Sequence, residues 1–196
     1  MNRRDFLKNT ICMGAGLVLA PGVMHHGIVE AAWGAGNDLP GVSIRETYLQ
    51  FGPLQNRMTT DGIVIHHIGG TNRDVSAEEV HEWHKNNGWA GIGYHFLIRK
   101  DGTIERGRPM NMLGAHCYQQ NWHTIGVNIV GNFMEAIPTS AQMDSAAKLL
   151  RALSRHYGFP TDREHIKGHR EYNATDCPGQ SLYNMLDNLV YNAARL

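Results

Sequence analysis

The sequence predicts an α/β fold, a single domain in which a mixed β-sheet is flanked by helices. Three observations predict it. Short β-branched apolar runs alternate with capped amphipathic segments. One pair of runs is joined by an Asp-Gly turn, which demands an antiparallel hairpin within the sheet. The chain has 196 residues, 42% of them hydrophobic, enough for one buried core.

The first segment stands apart from the domain. Arg3-Arg4, with Phe6 and Leu7, precede an uncharged, glycine-rich stretch at residues 10–24, and small residues follow around Ala31-Ala32. An export signal, a membrane anchor and an ordinary basic N-terminus are the possible readings. The uncharged stretch has 15 residues, fewer than the ~20 that span a bilayer, and Pro21-Gly22 interrupts it. Residues 1–35 therefore resemble a twin-arginine signal peptide, which implies a periplasmic or secreted protein with no stable membrane anchor. Cys12 would leave with the signal. Such export carries folded proteins, often with a cofactor already in place.

Residues 36–60 are polar, with turn signals at Pro40-Gly41 and Gly52-Pro53, and read as an N-terminal arm packing on a domain that spans 61–196. Gly62-Ile63-Val64-Ile65-His66-His67 reads as a buried strand ending in two histidines. Ser76-Ala77-Glu78-Glu79 is the pattern of a capping box, opening a helix that stops at Gly88. The stretches 94–99 and 103–106 form the two arms of the hairpin around Asp101-Gly102. Residues 124–130 are another strand. Thr139 to Gln142 caps a long helix ending near Tyr157-Gly158, whose Met143, Ala146, Ala147, Leu150 and Leu153 recur at helical spacing. A short strand at 165–169 and a closing helix at 182–194 complete the order.

Charge excludes one class of partner. The chain carries 18 basic and 18 acidic residues, and without residues 1–35 it keeps 15 and 16. No run of like charge supplies the clustered Lys and Arg that phosphate binding needs, so nucleic acid is excluded as a partner. Twelve histidines beside three cysteines point instead to a metal or acid–base site. A catalytic zinc takes about three protein ligands and keeps one position open. Candidates at strand ends are His66, His67 and His169, with Cys177 eight residues beyond His169. No His-Glu-x-x-His helix occurs, and Cys117 and Cys177 lie too far apart in sequence for a zinc finger.

A set of motifs runs in order through the chain: Ile65-His66-His67, Gly88-Trp89-Ala90-Gly91-Ile92-Gly93-Tyr94-His95-Phe96, Asp101-Gly102-Thr103-Ile104-Glu105-Arg106-Gly107-Arg108, Gly114-Ala115-His116, Ile125-Gly126-Val127, Gly168-His169-Arg170 and Cys177-Pro178-Gly179. Together they resemble the zinc-dependent N-acetylmuramoyl-L-alanine amidase family, which includes phage lysozyme-amidases and peptidoglycan recognition proteins. The resemblance covers roughly residues 62–186.

It implies Zn2+ held by His66, His169 and Cys177, a catalytic tyrosine at Tyr94, and Thr175 where phage enzymes carry lysine. It implies hydrolysis of the amide between N-acetylmuramic acid and L-alanine of peptidoglycan by a zinc-activated water. Zinc plus the Thr175 hydroxyl would stabilise the oxyanion, and Tyr94 would orient the water. Tyr94, His67 or His116 would protonate the leaving amine. Gly88-Trp89 is associated with meso-diaminopimelate stems. Arg108 is placed against a stem carboxylate, His116 in the substrate groove, and Trp89, Tyr118 and Trp122 along it. The protein is expected to be a monomer.

Other residues have plainer expectations. His67 points away from the ligand face and supports the site by hydrogen bonding. His84 and His95 are structural, Cys117 is a buried thiol, and His81, His123, His156 and His165 lie on the surface. The competing class is a peptidoglycan-binding module that does not cut. Such modules typically lose the zinc cysteine, which this chain retains.

Overall fold

The computed structural model describes residues 39–196. The expected signal segment, and residues 36–38 of the expected arm, lie outside the described residues.

Six strands form one sheet in the order β1 (Ile44–Arg45), β4 (Ile104–Arg106), β3 (Phe96–Ile98), β5 (Thr124–Ile129), β2 (Gly62–His67) and β6 (Ile166–Gly168). Only the β3/β4 hairpin is antiparallel. Its turn closes through Gly102 N–H to the Arg99 carbonyl, with Gly102 at a φ of 89° that a side chain rarely adopts. The mixed α/β sheet expected from the sequence is the one observed.

Helix α1 (Ala77–Asn86) packs on one face of the sheet; α2 (Ser140–Tyr157) and α3 (Gln180–Ala194) cover the other. The larger core lies under α2 and α3 and takes Ile63, Ile65, Phe96, Ile125, Val127 and Ile129 from the sheet. The smaller core lies under α1 and takes Leu97 and Val130. Burial on both faces explains why β2 and β5 read as continuous apolar runs rather than alternating ones. Thr139 and Gln142 satisfy each other's backbone at the start of α2, and Gly158 ends it in the left-handed region.

Three local expectations are corrected. The N-terminal arm is not merely packed on the domain: Ile44 and Arg45 pair in parallel with β4 and form the sheet edge. A two-residue strand is too short to show any periodicity. Arg45 is fixed there by Glu105, which is 1% exposed and also receives Arg99 and the Ala77 N–H at the start of α1. At α1 only half of the capping box forms, because Ser76 accepts from Glu79 N–H while the Glu79 carboxylate pairs with Arg73. His81 is buried rather than superficial: its Nδ1 accepts from Ile92 N–H, and its Nε2 meets the Gln50 carbonyl.

The parallel strands β2, β5 and β6 bring their carboxyl ends to one rim. Ligand sites in open α/β sheets form at that rim, where successive crossovers run in opposite directions. Here the chain leaves β2 toward β3 and later crosses from β5 over β2 to β6. No helix of the described residues is long and apolar enough to cross a membrane.

Candidate metal centre

His66 is the penultimate residue of β2, and His169 follows the last residue of β6 at the head of a short 3-10 turn (His169–Glu171). Cys177 comes from the loop that enters α3, before a cis Cys177–Pro178 bond. Gly179 lets this loop lie close to the sheet. A Cβ there would stand 2.6 Å from the Phe133 backbone and 2.9 Å from the His67 ring.

The three side chains converge, with one ligating atom from each lying within 4.8 Å of the others. Among the described residues this is the group of His, Cys and carboxylate side chains so placed. His66 Nδ1 stands 3.5 Å from Cys177 Sγ. A tetrahedral zinc with ordinary Zn–N and Zn–S bonds sets such atoms about 3.6 Å apart. The far nitrogens are already used: His66 Nε2 lies 3.0 Å from His116 Nδ1, and His169 Nε2 lies 3.0 Å from Asn173 Oδ1. That leaves Nδ1 of each ring for a metal, with outer partners fixing the ring orientation. The His67 N–H donates to Cys177 Sγ at 3.5 Å. Two imidazoles and a thiolate suit zinc.

Burial holds both imidazoles below the usual histidine pKa, and for His66 the neighbouring His169 and His116 add to it. They are neutral at pH 7, as metal ligation requires. Burial pushes the Cys177 thiol up to about 12, so the thiol is protonated at neutral pH, and a coordinating cation would displace that proton.

Tyr94 lies beside the cluster, its ring 5.1 Å from that of His66. It sits in the extended segment before β3 rather than in the strand, and the Tyr94 carbonyl is tied to Arg108 N–H. Burial, then the nearby Cys177, raise its phenol above the usual range, with the Asn128 amide acting the other way. Thr175 is exposed and accepts from Cys177 N–H at 3.2 Å, which leaves its hydroxyl hydrogen to donate.

Gly88 ends α1 at a φ of 82°. Trp89 then donates its N–H to the His84 carbonyl and packs its ring 4.6 Å from the His84 ring, which lies 5.6 Å from Tyr94. The Gly88-Trp89 pair thus reaches the centre through a series of tilted ring contacts. Tyr118 and Trp122 are largely exposed, and the Tyr118 carbonyl accepts from Asn173 at 3.5 Å, which places it on the His169 side. His67 does face away: it is buried, accepts from Phe133 N–H at 3.1 Å, and has its pKa lowered to about 4 by burial and then by Arg170.

Two expected substrate contacts are corrected. Arg108 is 5% exposed and donates to the carbonyls of Ile92 and Leu113 at 3.0 and 2.8 Å, so it ties two loops together and has no face for a stem carboxylate. His116 is also buried. It stands behind His66 rather than in an open groove, in space that Gly126 keeps clear, where a Cβ would lie 2.5 Å from its ring. Burial lowers its pKa to about 3.

Sequence reasoning missed two residues. Asn173 supports His169, and nothing in its local sequence marks it. Asn128 is wholly buried next to His66. A polar residue inside the otherwise apolar run 125–130 was its signal.

The family described as N-acetylmuramoyl-L-alanine amidase matches residues 56–180. The endolysin of Escherichia phage T7 is 34% identical over 66% of this chain and 87% of its own length. Peptidoglycan-recognition protein SC2 of Drosophila melanogaster is 37% identical over 62% of this chain and 69% of its own length. Among solved structures, the N-acetylmuramoyl-L-alanine amidase LysC from Clostridium intestinale superposes with a TM-score of 0.65 at 39% identity, covering 71% of this chain and 90% of its own.

Proposed function

This chain belongs to the N-acetylmuramoyl-L-alanine amidase family, and from that premise we propose that it is a zinc-dependent peptidoglycan hydrolase. It cuts the amide between N-acetylmuramic acid and the L-alanine of the stem peptide. The observation that carries this reading is the convergence of His66, His169 and Cys177. Zinc held there would lower the pKa of a bound water from 15.7 to about 7 and polarise the scissile carbonyl.

The remaining roles fall to the chain itself. Tyr94 keeps its proton at neutral pH, so it acts as a donor to the reacting groups rather than as a base. Thr175 donates its hydroxyl hydrogen to the oxyanion, a neutral contact in place of a lysine charge. His67 and His116 are both buried and both engaged by neighbours, which favours Tyr94 over either as the source of the leaving-group proton. His116 and Asn173 hold the two ligating rings in place.

Trp89, Tyr118 and Trp122 suit the apolar faces of a glycan-peptide strand, and Gly88-Trp89 favours meso-diaminopimelate stems. The protein acts as a monomer. The second reading, recognition without cleavage, draws support from the relatives named recognition proteins. Retention of Cys177 with both histidines and Tyr94 favours the enzyme.

The test is mass spectrometry of products from defined meso-diaminopimelate and lysine muropeptides, with zinc content measured on the parent and on Cys177→Ser. The parent should release intact stem peptide from disaccharide, and the variant should lose both zinc and cleavage. Cleavage within the sugar chain or within the stem would refute the amidase reading, and binding without any cleavage by the zinc-loaded parent would establish the recognition reading. A Cys177→Ser protein that cuts normally would refute the ligand set.

A further inference from the structure

Asn128 lies on the interior strand β5, and its side-chain amide meets no neighbour at ordinary hydrogen-bond geometry. Its backbone pairs directly with His66 across β5 and β2 and with Leu97 across β5 and β3. Paired residues of neighbouring strands send their side chains to the same sheet face. Asn128 therefore stands beside the ligating His66 on the side where Tyr94 packs against the smaller core. It is 0% exposed, and neither Oδ1 nor Nδ2 has a hydrogen-bond partner. A buried amide without partners costs stability, because its hydrogen bonds to water are lost and not replaced. Leucine has the same number and branching of side-chain heavy atoms and would sit beside Leu97 and Val130 with no polar group to satisfy, so packing alone gives no reason for an amide here. The Tyr94 phenol belongs to the same face: its ring lies 5.1 Å from that of His66 and packs in the cluster of Leu97, the residue paired with Asn128.

We propose that Asn128 is a positioning residue for hydrolysis, and that its amide orients the Tyr94 hydroxyl toward the His66–His169–Cys177 centre. The proposal rests on the amidase reading given above. Asn128 Nδ2 is a donor only, and a phenol has a single hydrogen. With Nδ2 donating to the phenol oxygen, that hydrogen is directed away from Asn128 and into the site. Oδ1 is left to accept from a water entering the same space. A polar side chain buried in an apolar cluster is then kept for function, as expected where a local rule of folding is broken.

The experiment uses the full, zinc-loaded protein and the variants Asn128→Leu, Tyr94→Phe and the double variant. Measurements are kcat and KM on a defined muropeptide, zinc content, thermal midpoint, and the 13Cζ resonance of Tyr94 in tyrosine-labelled protein. Asn128→Leu should keep its zinc and melt no lower than the parent. Its kcat should fall about 10- to 100-fold, the range typical of a lost supporting contact, with KM within about twofold. The Tyr94 resonance should move. In the Tyr94→Phe background the same change should cost less than about twofold, because Asn128 acts through Tyr94. An unchanged kcat, a full multiplicative loss in the double variant, or an unmoved Tyr94 resonance would overturn the proposal. Loss of fold or zinc in Asn128→Leu would assign the residue a structural role; Asn128→Ser then carries the same double-variant criterion. An inactive parent whose Tyr94 resonance still moves in Asn128→Leu would refute the amidase reading while leaving the Asn128–Tyr94 contact in place.

Discussion

Arg108 shows how a residue's motif and its role separate. Its guanidinium is fully enclosed, and burial lowers its pKa to about 10, so it still carries a charge at neutral pH. That charge is solvated by chain carbonyls, those of Ile92 and Leu113, which belong to the two loops that flank Tyr94 and His116 in sequence. Charged donors to buried carbonyls contribute about 1.5–3 kcal/mol each, and removing the donor leaves acceptors without partners. Arg108→Ala should therefore lose about 2–4 kcal/mol of stability, read as a lower urea midpoint. The ratio of kcat/KM between meso-diaminopimelate and lysine stems should stay that of the parent. A changed ratio with unchanged stability would restore Arg108 to the substrate. His116 follows the same logic, because its ring meets the far nitrogen of His66, the proposed ligand.

Helix α1 places a second histidine where pH will act on it. His84 Nδ1 accepts from Gly93 N–H at 3.0 Å, and burial, with Arg108 adding to it, lowers its pKa to about 4. The folded value lies below the unfolded one of about 6.5. The neutral ring's contribution is therefore complete above pH 6.5 and is lost as pH falls toward 4, at up to about 1.4 kcal/mol per pH unit. The urea midpoint of the parent should drop over that window more steeply than that of His84→Gln. Parallel pH profiles for the two proteins would show that His84 is not held neutral by the fold. The element also marks how far sequence reads. The start of α1 at Ser76, the hairpin around Asp101-Gly102 and the capped α2 were all legible, because capping and turn chemistry act within four residues. The edge strand β1 and the buried state of His81 were not, since both depend on partners far along the chain: Ile44 pairs with Ile104, and His81 with Gln50 and Ile92. At the centre, the residue types of the donor set could be recognised from motif order. Asn173 could not, and Asn128 showed only as a polar break in an apolar run, because an asparagine's role is set by what the fold packs against it.

Taken whole, the chain must fold before the proposed metal site can exist. Its donors at positions 66, 169 and 177 come from a central strand, the turn after β6 and the loop before α3. More than 100 residues separate the first donor from the other two, so the unfolded chain has no site and metal affinity is coupled to folding. A protein threaded unfolded across a membrane would have to find its metal afterwards. Export of the folded protein, which Arg3-Arg4 and the apolar stretch after them suggest, would let folding and metal loading precede translocation. The proposed route makes a definite prediction. Changing Arg3 and Arg4 together to lysine keeps the positive charge but removes the paired guanidinium groups. The zinc content and muropeptide cleavage of the protein should be unchanged, because these residues lie outside the stretch 56–180 that matches the amidase family. Fractionation of producing cells should find the active protein in the cytoplasm, whereas the parent is found beyond the membrane. A variant exported as well as the parent would rule out the twin-arginine route and leave a general secretory signal, with metal loading after translocation.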